Sequence, residues 1–342
     1  MTSRSTAFRT AAACGLALIA LGGAQAARAI ATSTQVASST YLGGGILYLF
    51  ANASCPPGEI AVGGGVDVSN PYFLVARSSG PSYDGFSVFN QPDGLRGAPN
   101  GWTGQATLPS SSLVTVKAGA LCAPAADVQT SVASVTIPIG GTGTATAACP
   151  AGTVALSGGI QAGSTSVTIL DFQPTYASGS LATFPLGEAP APRGWTTTVR
   201  NDDIFERNAK VAAICIAETE AIVTTQVTNY GVTGNDIGGG GLTCPDQTIA
   251  TGGAFAAPDG ASLSLISNSP RIGSNDLATV PDGANPLPGA WSATSRNLGG
   301  SLVVAPFGVI CAPEPDSALL AAAAIATLLS LRRPGAAARL SQ

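Results

Sequence analysis

Histidine is absent from all 342 residues, and methionine occurs once. Without imidazole the chain lacks the side chain that most often moves a proton near neutral pH, and the commonest transition-metal ligand is missing too. Charge is scarce: 10% of residues are Asp, Glu, Lys or Arg, and the formal net charge is −4. Nucleic-acid binding needs a basic footprint, so that class is excluded. No internal stretch carries a sustained helical period with caps, which excludes a helical body. What the chain has instead is 43 Gly and 24 Pro within a composition that is 45% hydrophobic. That is too apolar for a disordered chain and too rich in helix breakers for bundles. Glycine, threonine, serine and valine outweigh lysine and glutamate, and an all-β fold of short strands and turns is predicted.

One unit occurs three times: Cys55 to Cys122, Cys149 to Cys215, and Cys244 to Cys311. Each opens Cys-Pro, places Ala six residues later (Ala61, Ala155, Ala250), and follows with Gly63-Gly64, Gly158-Gly159 or Gly252-Gly253. Pro81, Pro174 and Pro270 come next, then a single tryptophan twenty residues before the closing cysteine: Trp102, Trp195 and Trp291. These are the only tryptophans, and the seventh cysteine, Cys14, belongs to the N-terminal segment. The six others could pair in fifteen ways. A copied module carries its partner with it, so Cys55–Cys122, Cys149–Cys215 and Cys244–Cys311 are the predicted disulfides. Metal sites want cysteine or histidine at short spacing, and none is predicted, nor any cofactor.

Leader segments precede each opening cysteine at Gln35-Val36, Ser131-Val132 and Gln226-Val227, followed by glycine clusters. They set the predicted boundaries: β-repeats over 27–126, 127–221 and 222–312. Each repeat is expected to be a small disulfide-stapled β-sandwich in tandem. A single pseudo-threefold assembly of the three is the other arrangement. The segments entering the closing cysteines alternate with period two. Val114, Val116, Ala118, Ala120 and Cys122 share a face, while Lys117 and Lys210 lie on the opposite face, which is expected to meet water. Pro306 takes the lysine place in the third copy and suggests an edge strand or bulge. Asp84-Gly85, Asp93-Gly94, Asp259-Gly260 and Asp282-Gly283 read as turns.

Core packing beside the disulfide is expected of the tryptophans; stacking on a sugar ring is the alternative role for Trp102, Trp195 and Trp291. The Gly-Gly steps lack the Lys-Ser/Thr of a phosphate loop, and close sheet packing, a bulge or a tight turn accounts for them. Arg200-Asn201 and Arg296-Asn297 have no counterpart in copy one, which reads Thr107-Leu108. Asn201, Asp202, Asp203 and Glu206 form the densest acidic cluster and read as a solvated turn rather than a calcium loop. No acidic residue recurs in all three copies, so catalysis is not predicted. A carbohydrate-active hydrolase, with a pair such as Asp171 and Glu188 in one copy, and an adhesin-like binder are the competing classes.

The chain ends carry the address. Arg4 and Arg9 precede an apolar run, Ala11–Leu21, and Ala24-Gln25-Ala26 offers small residues at a cleavage point. Residues 1–26 therefore read as a signal peptide forming an N-terminal signal helix, with Ala29 as the next cleavage position. At the other end Pro313-Glu314-Pro315 is followed by an apolar run, Ala318–Leu331, and by Arg332-Arg333. This tail, 313–342, resembles the PEP-CTERM protein-sorting signal at Pro313, Glu314, Pro315, Arg332 and Arg333. The resemblance implies a membrane helix over 318–331, an exosortase-type enzyme as partner, and a Gram-negative producer of exopolysaccharide or biofilm matrix. As a helix those fourteen residues reach about 21 Å against a hydrocarbon core of about 30 Å, so the arginines must snorkel. The repeats also resemble Cys-Pro…Gly-Gly…Trp…Cys modules of secreted bacterial proteins, which brings no activity with it. The expected protein is thus exported and non-catalytic, tethered at its C-terminus before reaching the cell surface or matrix, with exopolysaccharide as a contact.

Overall fold

Strands dominate the computed structural model, which describes residues 31, 33–41, 47–69, 75–108, 113–124, 127–219, 222–258 and 263–314. The predicted signal helix and the span 318–331 lie outside the described residues, as do Pro315, Arg332, Arg333 and the Asp259-Gly260 turn. Repeat one contributes β1 (Ser33–Tyr41), β2 (Leu47–Ser54), β3 (Glu59–Val68), β4 (Val75–Tyr83), β5 (Phe86–Ser87), β6 (Gly94–Arg96), β7 (Gly101–Leu108) and β8 (Val114–Pro124). Repeat two contributes β9 (Gln129–Ile137), β10 (Thr142–Ala148), β11 (Thr153–Ala162), β12 (Val167–Thr175), β13 (Gly187–Ala189), β14 (Gly194–Asn201) and β15 (Arg207–Ala217). Repeat three contributes β16 (Thr224–Val232), β17 (Ile237–Thr243), β18 (Thr248–Phe255), β19 (Leu263–Ile272), β20 (Asn275–Asp276), β21 (Gly283–Asn285), β22 (Ala290–Asn297) and β23 (Val303–Pro313).

Within each repeat two half-sheets face one another. In repeat one, β2, β7 and β4 pack across β1, β8 and β3. Each half-sheet then continues sideways into a neighbouring repeat. Sheet 1 runs β17-β22-β19-β3-β8-β1-β21, sheet 2 runs β2-β7-β4-β11-β15-β9-β6, and sheet 3 runs β10-β14-β12-β18-β23-β16-β13. Every sheet therefore joins two repeats, in the order one to two, two to three, and three back to one. Of the two arrangements open from sequence, the protein adopts the pseudo-threefold assembly, and each tandem sandwich is one corner of it. The three repeats fall within a single compact unit, Ala29–Pro315.

The centre is where β3, β11 and β18 meet. Each carries a bulge against its closing strand, between Ala61 and Gly63, Ala155 and Ser157, and Ala250 and Gly252. The bulges cross-link the repeats: the Ser157 hydroxyl donates to the Val62 carbonyl at 3.1 Å, and the Thr251 hydroxyl to the Leu156 carbonyl at 2.7 Å. The third contact needs Gly63, because a Cβ there would stand 2.0 Å from the Thr251 carbonyl oxygen.

Cys55 joins Cys122, Cys149 joins Cys215 and Cys244 joins Cys311, with Cα atoms 5.5, 5.7 and 5.6 Å apart. The opening cysteine follows the edge strand of one sheet and the closing one lies at the centre of another, so every bridge ties two sheets together. On the chain-entropy account a loop of 66 or 67 residues contributes about 4 kcal/mol.

The lysine-bearing face is covered rather than wet. After its fourth strand each repeat throws an arm across the next repeat, through a 3₁₀ turn (Val88–Asn90, Leu181–Thr183 or Leu277–Thr279), and then docks a short strand on the leader. Val88 packs with Val132 and Ala212, and Leu277 with Val36. Lys117 and Lys210 lie beneath these arms with side chains 13% and 16% exposed. Pro306 also departs from expectation. It sits in β23, central in sheet 3, not at an edge. Its carbonyl accepts from Ala256 N–H at 3.0 Å, just past the end of β18, so its missing N–H points where that ladder has stopped.

Candidate functional site

The tryptophans offer no face to a ligand. Trp102, Trp195 and Trp291 are each 0% exposed, which removes the sugar-stacking role considered for them. The glycines explain why. A Cβ on Gly64, Gly158 or Gly253 would fall 2.4, 2.0 or 2.0 Å from the indole of its own repeat. Indole and glycine are one device, with the ring filling the space a side chain would take. Two indole N–H groups are satisfied, Trp102 by Ser79 Oγ at 3.1 Å and Trp291 by Asn268 Oδ1 at 2.6 Å. Copy two has Phe172 at that place, 5.2 Å from the Trp195 ring, and Trp195 Nε1 has no acceptor.

The acidic candidates separate. Asp171 lies on β12 and Glu188 on β13, with β18, β23 and β16 between them in sheet 3. Four strand spacings of about 4.8 Å put them near 19 Å apart, beyond the reach of a paired-carboxylate mechanism. Asp202 pairs with Arg200 at 2.7 Å, and Asp203 accepts from Arg207 Nε at 2.7 Å. Asn201 and Asn297 are buried and bond backbone carbonyls: Asn201 reaches Ile137, Pro138 and Phe205, and Asn297 reaches Val232 and Ser301. The two asparagines thus serve the hairpins before the closing strands. Among the described residues no cluster of His, Cys, Asp or Glu is placed to hold a metal, and no helix is long and apolar enough to cross a membrane. Of the sorting motif, Pro313 ends β23 and the Glu314 N–H donates to the Gln247 carbonyl at 2.8 Å.

What the fold brings together lies on the outer faces, at the seams between repeats. In sheet 1, Asp67 of repeat one accepts from Ala278 N–H of repeat three at 2.9 Å. In sheet 2 Gln161 holds the equivalent place and accepts from Phe89 N–H at 2.9 Å. In sheet 3 Gln173 accepts from Leu181 N–H at 3.0 Å, and its amide donates to Asp171 at 2.6 Å. Each arm is therefore pinned by a buried polar side chain. Burial raises the pKa of Asp67, and it pushes Asp171 up to about 7, with Asp171 Oδ1 unpartnered.

Beside each pin the outer face differs. Sheet 1 has a cleft of about 270 Å³ with Asp67, Ser267, Arg271 and Asp276 along it, the last two paired at 2.9 Å. Sheet 2 has a cleft of about 210 Å³ lined by Tyr48, Phe50, Phe89, Gln105, Gln161 and Ser164. Sheet 3 has an apolar hollow of about 380 Å³ that includes Phe184, Leu186, Val304 and Pro306. Sequence reasoning passed over these residues because each cleft draws on two repeats. Aligning the copies on the repeated Ala (Ala61, Ala155, Ala250) would have isolated Tyr48 and Phe50 where the others carry Thr142 and Thr144, or Ile237 and Gly239.

No family model and no curated protein matches this chain. Among solved structures it is similar to the major capsid protein P2 of bacteriophage PM2, at 9% identity and a TM-score of 0.20, over 54% of this chain and 97% of that one. It is also similar to a triple jelly-roll protein of an archaeal virus, at 8% identity and a TM-score of 0.17, over 81% and 91%. At such scores nothing about capsid or turret assembly passes to this chain.

Proposed function

We propose that this is an exported, non-catalytic structural protein of the cell surface or extracellular matrix. In this reading it is delivered through a PEP-CTERM-type tail processed by an exosortase-type enzyme, with exopolysaccharide as its surroundings. The observation that carries the reading is where the shared residues go. Three features repeated in all copies, the cysteine pair, the tryptophan and the glycine beneath it, are spent on holding sheets together. Three inter-sheet disulfides suit a protein that must persist outside the cell, where thiols oxidise. The separation of Asp171 from Glu188 weakens the hydrolase alternative.

Cell fractionation tests the address. Protein with an epitope inserted after residue 29 should be retained at the membrane and then appear at the surface or in the matrix. Deleting 313–342 should release it straight to the medium. Cytosolic accumulation of the intact chain with free thiols, or unchanged distribution after the deletion, overturns the reading.

A further inference from the structure

We propose that the cleft on the outer face of sheet 2 is a subsite for a neutral polysaccharide. This rests on the matrix reading above and names the ligand class it would meet. Edge strand β2 alternates: Leu49, Ala51 and Ala53 are buried, while Tyr48 and Phe50 are 43% and 54% exposed. Their rings are nearly parallel, at 24°, with centroids 6.1 Å apart. Phe89, Gln105, Gln161 and Ser164 complete the cleft. Aromatic rings meet the C–H face of a pyranose, and primary amides donate to and accept from its hydroxyls. No Asp, Glu, Lys or Arg lines the cleft, and the cation near Tyr48, Arg77, is engaged by Thr107 Oγ1 and the Val167 carbonyl, so the lining favours an uncharged ligand.

The site is pre-organised by two repeats. Phe89 N–H donates to Gln161 Oε1, which leaves that amide's own N–H groups for the cleft. Thr165 N–H donates to the Tyr48 hydroxyl at 3.3 Å, so repeat two holds a ring of repeat one. The Phe89 ring lies over Gly163, where a Cβ would be 2.8 Å from its Cζ. Holding the contacts in place before binding lowers the ordering cost of association. Stability does not require the rings, because the matching places in sheets 3 and 1 are held by Thr142 and Thr144, and by Ile237 and Gly239, within the same strand pairing. Exposed aromatic residues gathered at one seam of three mark a recognition surface.

Affinity electrophoresis of the complete exported protein tests this, using gels that contain either the neutral or the acidic polysaccharide fraction of the producing organism's own matrix. The wild type should be retarded by the neutral fraction. Phe50→Ala should weaken that retardation at least tenfold with an unchanged unfolding midpoint, and Thr144→Ala, at the matching place in sheet 3, should have no effect. Absence of retardation, retardation by the acidic fraction alone, or full retardation of a Tyr48→Ala/Phe50→Ala double variant overturns the subsite. A protein that reaches the surface yet is not retarded loses this subsite and keeps its address; a cytosolic one loses the address.

Discussion

A half-buried carboxyl with one oxygen shut off from water and unsatisfied is the residue most sensitive to its surroundings. Asp171 keeps its proton in the fold up to about pH 7, whereas in the unfolded chain it releases it near pH 4. Between those values the folded state binds the extra proton, so stability is full below the unfolded pKa and declines as pH rises through the folded one. Asp171→Asn should remove that decline. Urea unfolding at pH 4 should leave variant and wild type close, and at pH 8 the variant should be the more stable by about 2–4 kcal/mol. An equal difference at both pH values would sink the assignment. That tryptophan and glycine each recur was legible in the sequence, but neither their contact nor its register was. Ser157 takes the first glycine's place in copy two, so Gly158, not Gly159, corresponds to Gly64 and Gly253. A methyl added at any of the three would displace an indole at a cost of about 1–3 kcal/mol.

At the level of elements, the arms are what local pattern could not show. Alternation placed Val114, Val116, Ala118, Ala120 and Cys122 on the inner face correctly, because that face is decided within one strand. The fate of the opposite face depends on a segment 119 or 163 residues away in the chain, the reach of the Lys210–Gln91 and Lys117–Val280 bonds. Asp93-Gly94 and Asp282-Gly283, read as turns, prove to be the arm tips: Asp93 and Asp282 accept from the Ser134 and Ser38 hydroxyls at 2.6 Å and pair with Lys210 and Lys117 at 3.5 and 3.9 Å. The Ser134 hydroxyl and backbone N–H, then Lys210, hold the Asp93 carboxyl below the usual carboxylate range. Seam two-to-three has neither charge, since Leu186 and Pro306 stand in those places. Leu186→Asp with Pro306→Lys should rebuild the clasp. A double-mutant cycle in urea should give a coupling of about 0.5–1 kcal/mol, because the aspartate end is half-exposed. No coupling would mean the clasp is incidental to the two seams that have it.

For the molecule as a whole, the prediction concerns cooperativity. Because every sheet is shared, no repeat holds its own complete core, and the three should unfold together. Each has one tryptophan, so fluorotryptophan labelling gives one ¹⁹F signal per repeat. The three native signals should lose intensity at one urea concentration, whereas independent modules would give separate midpoints. Copy number and disulfide pairing were legible because duplication preserves spacing. The sharing of sheets was not, since the same spacing serves beads on a string.

The seams all point one way, each repeat laying its arm on its successor and the last on the first. A head-to-tail contact of that kind closes only at a fixed stoichiometry and otherwise propagates as a filament. Loss or gain of one copy by recombination would therefore leave a donor arm and an acceptor sheet without partners. Such a chain would polymerise rather than merely shorten or lengthen, so geometry polices the gene's valence.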